Sequence, residues 1–165
     1  MNGYLVVATD AARARFLHLQ AADVPEVESG PDLVEADSLL NPEHPMTDRE
    51  IFADSKAGRN RTFGGPTHGY DDHRRQHMDE LSRRFARQIA KETVRHAKAQ
   101  SAHTLVVVAD KRMLGFLRTE LNHTKKPDWT IRECAVDISK LSARELHRHL
   151  AEKKMVPSRK GPGSA

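Results

Sequence analysis

The run Thr104-Leu-Val-Val-Val-Ala109 constrains this chain more than any other stretch. Six residues without a charge give water no face to wet, so they read as a central strand covered on both sides. Tyr4-Leu-Val-Val-Ala8 is a second short continuous apolar run. Two such strands need layers above and below them, and the rest of the sequence supplies the material.

Arg13 to Leu19 alternates Arg15, Leu17 and Leu19 against Phe16 and His18. Together with Tyr4–Ala8 it predicts a hairpin across the Asp10-Ala11-Ala12 turn. Leu33 to Asp37 predicts a third, more exposed strand. Residues 41–71 hold Pro42, Pro45, Gly58, Gly64, Gly65, Pro66 and Gly69 with little apolar periodicity, which predicts one long loop. From Asp72 to Gln100 the positions Met78, Leu81, Phe85 and Ile89 fall on one helical face. Arg84, Arg87, Lys91, Arg95 and Lys98 form a second stripe about 120° around the cylinder. Lys111 to Leu121 predicts another helix with Leu114, Leu117 and Leu121 inward, weakened by Gly115 and unable to pass Pro127. Ile131 to Ile138 alternates again, with Cys134, Val136 and Ile138 on one face. Ser142 and Glu145 make a capping box ahead of a final helix, Ala143 to Glu152, with Leu146 and Leu150 inward.

This order predicts a single α/β domain over residues 1–152, built on a mixed sheet of about five strands with helices packed on it. Residues 153–165 combine Lys153, Lys154, Arg159 and Lys160 with Pro157, Gly161, Pro162 and Gly163, a composition that predicts a flexible basic tail.

Charge divides the chain. Residues 1–55 hold 3 Lys/Arg against 11 Asp/Glu, residues 56–98 hold 11 against 5, and residues 99–165 hold 13 against 7. An acidic first third is thus followed by a basic remainder, which bears on partners and not on fold. Apolar runs far shorter than the roughly 20 residues of a spanning helix predict no membrane segment. Met1-Asn2-Gly3 leads directly into a strand-like run, so no secretory leader is expected and the cytoplasm is the expected location. The single Cys134 cannot form an internal disulfide and is expected in the core.

Lys56, Arg59 and Arg61 lead into Phe63-Gly64-Gly65-Pro66, and the basic helix follows. Glycines permit close backbone approach, and Arg59, Arg61, Arg84, Arg87 and Lys91 can neutralise phosphates. Phe63 and Tyr70 can stack on bases or anchor the loop. Against this stands the simpler view that the stripe keeps a surface helix soluble, partly paired with Asp79, Glu80 and Glu92. His73 and His77, near His68, Asp71 and Asp72, can face a metal, but Arg74 and Arg75 oppose a cation there and no metal is expected. Asp10, Asp110 and Asp137 sit near strand ends, as carboxylates of a two-metal nuclease would. Turn formation by Asp10 and helix capping by Asp110 explain two of them equally well. No Ser or Cys has an activating neighbour, and no phosphate loop or dinucleotide fingerprint is present, so no catalytic residue and no cofactor are expected.

Tyr4-Leu-Val-Val-Ala-Thr-Asp10-Ala-Ala-Arg13-Ala-Arg15-Phe16-Leu, with Leu105–Ala109 running into Leu114-Gly-Phe-Leu-Arg118, resembles the bacterial host attachment protein family over about residues 3–152. Asp10, Arg13 and Arg15 belong to the matching motif. That family is similar to the middle domain of archaeal and eukaryotic peptide-chain release factors, an RNase H-like α/β domain with an exposed Gly-Gly-Gln loop before a long helix. Gly64-Gly65 stands in the matching place, but Pro66 replaces the glutamine that positions water, so the resemblance does not carry peptide release with it. The leading expectation is a non-catalytic cytosolic protein that contacts RNA or the ribosome through Arg59, Arg61, Phe63, Gly64, Gly65, Arg84, Arg87 and Lys91. A peptidyl-tRNA hydrolase-like or metal-dependent nuclease enzyme and a protein–protein interaction module, with a homo-oligomer among its forms, stay open as alternatives.

Overall fold

A computed structural model describes residues 3–44, 67–124, 126 and 128–164, with the side chains of residues 67–70 excepted. Among the described residues, five strands and three helices follow the order expected: β1 (Tyr4–Thr9), β2 (Arg13–Gln20), β3 (Asp32–Leu40), α1 (Thr67–Ala99), β4 (Thr104–Ala109), α2 (Lys111–Thr124), β5 (Thr130–Ala135) and α3 (Ala143–Glu152). The sheet order is β3-β2-β1-β4-β5. β1, β2 and β3 form an antiparallel meander, and β4 and β5 add in parallel to β1. The fold is therefore α/β on a five-stranded mixed sheet.

The two apolar runs are neighbours at the centre, paired from Tyr4↔Thr104 to Ala8↔Val108. Their alternate side chains feed two separate cores. Leu5, Val7, Phe16, Leu105 and Val107 pack under Phe85 and Ile89 of α1 and Leu114, Leu117 and Leu121 of α2. Val6, Ala8, Leu17, Val106, Val108 and Cys134 pack on the opposite face against Leu146 and Leu150 of α3. A continuous apolar strand is the pattern such a three-layer sandwich requires.

Element ends depart from the sequence reading for identifiable reasons. α1 begins at Thr67 and not at Asp72. Extending an existing helix costs one residue's ordering per hydrogen bond, so no apolar face is needed to continue it. β3 extends to Leu40 because Arg13 to Arg15 still offer it a partner. β5 stops at Ala135 although the alternation runs on to Ile138, because its partner β4 ends at Ala109. Of the long loop expected at 41–71, residues 45–66 lie outside the described residues.

Residues 153–164, expected as a flexible tail, have defined contacts on the α3 face. Val156 is buried, and Pro157 accepts a hydrogen bond from the buried His147 Nε2 at 2.8 Å. Gly30 and Lys160 exchange two backbone hydrogen bonds, 3.0 and 2.7 Å, and Arg159 pairs with Asp32. One apolar side chain and a backbone bridge anchor a segment whose composition alone gives no such signal. Gly30 is required at that bridge, because a Cβ there would lie 2.9 Å from the Ala22 nitrogen.

Candidate functional site

β1, β4 and β5 are parallel, so their C-terminal ends meet at one edge of the sheet. From β1 the chain turns back through the hairpin to β2, and from β4 it leaves through α2 toward β5 on the other side. Crevices at such a divergence, outside the carboxyl ends of parallel strands, are where open α/β sheets bind ligands. Here a cleft of about 510 Å³ opens, lined among others by Ala11 after β1, Asp110 after β4, Arg112 on α2, and Asp71, Arg74 and Arg75 on α1.

Local chemistry fixes this geometry. Asp10 Oδ1 accepts from the amides of Ala12 at 2.7 Å and Arg13 at 2.9 Å, which closes the hairpin turn. Asp110 Oδ1 accepts from the Met113 amide at 2.9 Å and caps α2. Arg112, which also pairs with Asp79, is 59% exposed. Arg74, Arg75 and Arg112 thus converge near the N-terminal end of α2, where the Asp110 carboxylate already caps the helix. Arg74 and Arg75, which in the sequence argued only against a metal, are two of the three cations of the cleft. Their joining to Arg112 depends on α1 lying across the start of α2, which no local pattern states.

Asp10, Asp110 and Asp137 do reach the same sheet edge, but they do not form a metal-holding group. Among the described residues, the ligand atoms of only Asp37, Glu92 and His96 lie within 4.8 Å of one another. The turn and cap roles account for Asp10 and Asp110.

Arg13 and Arg15 have a structural explanation. Arg13 pairs with Glu35 Oε1 at 2.8 Å and Arg15 with Glu35 Oε2 at 3.0 Å. The buried Arg15 also donates to the carbonyls of Ser139 at 2.7 Å and Leu141 at 2.6 Å. Ser139 Oγ in turn donates to Asp10 Oδ2 at 3.3 Å. The motif therefore ties the β1–β2 turn to the segment between β5 and α3. The ion-pair partner is Glu35, and not Asp10 beside it in sequence.

Of the binding residues expected from the sequence, Arg84, Arg87 and Lys91 are exposed on α1. Arg84 pairs with Glu43 at 3.3 Å and Glu80 at 3.6 Å, and Arg87 with Glu120 at 3.6 Å. The charge of Arg84 and Arg87 is shared with Glu43 in the turn after β3, Glu80 on α1 and Glu120 on α2, which the sequence spacing only partly foretold. Exposed pairs of this kind are worth about 0–1 kcal/mol and yield to a stronger anion. Arg59, Arg61, Phe63, Gly64 and Gly65 lie outside the described residues. His73 and His77 are exposed. Among the described residues, no helix is long and apolar enough to cross a membrane.

A family model described as "Protein required for attachment to host cells" matches residues 5–150. The match covers most of the chain, from β1 almost to the end of α3, and no curated protein matches. The chain belongs to that family.

Proposed function

Starting from a chain that belongs to the host attachment family, we propose a cytosolic, non-catalytic protein that binds the phosphate backbone of RNA, on the ribosome or free of it. The cleft at the C-terminal ends of β1 and β4 takes a phosphate, and the outer face of α1 continues the contact. The observation that carries this reading is the convergence of Arg74, Arg75 and Arg112 from two helices on one cleft at the divergence of the strands. Arginine suits that role, because its planar fork donates two parallel hydrogen bonds to phosphate oxygens.

The sequence entering α1 adds to the footprint. Lys56, Arg59 and Arg61 precede Phe63-Gly64-Gly65 in the chain, and the helix that follows supplies Arg84, Arg87 and Lys91. The likeness to the release-factor middle domain points to the same partner, a ribosome-bound RNA. Pro66 in the glutamine position favours binding over ester hydrolysis.

Binding of the purified protein to ribosomes and to single-stranded RNA tests the proposal. The Arg74→Ala/Arg75→Ala/Arg112→Ala variant should lose more affinity than Arg84→Ala/Arg87→Ala/Lys91→Ala, because the cleft cations converge on one concave site and the stripe cations are spread along an exposed helix face. No binding by the wild-type protein at low salt, or equal binding by all three proteins, sinks it.

A further inference from the structure

Far from the cleft, the C-terminal half of α1 meets β3 in a different cluster. Glu92 and His96 are one turn apart on one helix face, and Asp37 projects from β3, where it pairs in register with Phe16. The ligand atoms of the three lie within 4.8 Å of one another. His96 is 7% exposed, and its ring stacks on Phe16 with centroids 4.6 Å apart and planes 20° from parallel. That stacking fixes the ring with Nε2 3.2 Å from Asp37 Oδ2.

Arg95 is the cation now between the carboxylates. Its Nε donates to Glu92 Oε2 at 2.8 Å, and its Nη2 to Asp37 Oδ2 at 3.0 Å. The same Nη2 lies 3.3 Å from His96 Nε2. Nε2 therefore has a donor on one side and an acceptor on the other. Protonated, it satisfies Asp37 and meets the guanidinium donor to donor; unprotonated, it accepts from Arg95 and turns its lone pair toward a carboxylate oxygen. No tautomer satisfies both contacts. A divalent cation would, since it takes the imidazole lone pair and both carboxylates at once. Arg95, with its side chain 59% exposed, can swing into solvent to admit it.

We propose that Asp37, Glu92 and His96 form a site for a borderline divalent metal of the Zn²⁺ type, which exchanges with the Arg95 guanidinium. One nitrogen and two oxygens are an accepted donor set for such ions, and three protein ligands leave a fourth position open. Asp37 and Glu92 are partly exposed, at 45% and 29%, so the ion has a path from solvent. The site joins β3 to α1, so occupancy stabilises that junction by linkage. It stands about 25 Å along α1 from Arg75, taking 1.5 Å per residue, and is independent of the cleft.

Calorimetric titration of the full chain with ZnCl₂ at neutral pH, alongside thermal melts, tests the site. The wild-type protein should bind Zn²⁺ at this site and melt higher with it. Asp37→Asn and Glu92→Gln change partly exposed side chains and should keep the metal-free melting temperature while weakening binding by more than about tenfold. Arg95→Ala should bind more tightly, because the competing cation is gone. His73→Ala/His77→Ala should leave this binding in place. Absence of binding at millimolar Zn²⁺, survival of full affinity in both Asp37→Asn and Glu92→Gln, or unchanged affinity in Arg95→Ala would each overturn the proposal.

Discussion

The two halves of α1 share one helix and little else. Leu81 is buried, and Phe85, Ala86, Ile89, Ala90 and Ala97 after it belong to the core shared with the sheet and α2, while residues 71–80 contain no buried side chain. The C-terminal half is held by packing. The N-terminal half is held by backbone hydrogen bonds propagated from it and by the Asp79–Arg112 pair to α2, and presents Arg74 and Arg75 to the cleft. A rigid, well-packed element that extends past its own core can place charged groups with precision at little cost in stability. Stability and binding should therefore separate along this helix.

The largest break in that comparison should come from Phe85→Ala, which empties a fully buried site between α1 and the sheet. It should cost about 3–5 kcal/mol in urea unfolding, whereas Arg75→Ala, ten residues earlier, should stay within about 0.5 kcal/mol. Similar losses from the two would show that the N-terminal half carries structure of its own. Arg15→Ala comes next. It leaves the Ser139 and Leu141 carbonyls without their donor and half-frees Glu35, and should cost about 2–3 kcal/mol. Arg15→Lys should recover only part of this, because an ammonium cannot reproduce the guanidinium's forked contacts.

Smaller effects sharpen the picture from the other helices. A Cβ on Gly115 would meet no atom within 4 Å, so Gly115→Ala should stabilise α2 by about 0.5–1 kcal/mol. Hydrogen bonding from Arg118, at 2.8 and 2.6 Å, holds the Glu133 carboxyl below its ordinary value of 4.5. The Ser142 hydroxyl and amide lower Glu145 in the same way. A depressed folded-state value contributes stability above pH 4.5 that is lost as pH falls through the folded value. Acid titration should show this loss below pH 4.5, and Glu133→Gln should reduce it by lowering stability at neutral pH, so that variant and wild type converge in acid.

What the sequence reveals about this molecule follows how local each cause is. α3 is legible in full, because its capping box, its inward Leu146 and Leu150 and its ends all lie within a dozen residues. The central strands are legible because a wholly apolar run has few alternatives. Element ends such as Ala135 are not, since they depend on where a partner strand stops. The cleft is half legible. Asp110 as a cap and the basic stripe of α1 can be read directly, but the meeting of Arg74, Arg75 and Arg112 arises from the crossing of α1 over α2. The Asp37, Glu92 and His96 cluster has no sequence signal, because 55 residues separate β3's carboxylate from the helix pair. Arg15's partner Glu35 is invisible for the same reason, and becomes plain only when β2 and β3 pair.

The central claim is that the cleft and the exposed half of α1 bind a phosphate backbone, and RNA affinity measured across a salt series tests it most directly. The logarithm of affinity should fall linearly with the logarithm of salt, and each phosphate contact removed in the Arg74→Ala/Arg75→Ala/Arg112→Ala variant should flatten that slope by about 0.7 on single strands. A wild-type affinity indifferent to salt, or a variant with an unchanged slope, would contradict it.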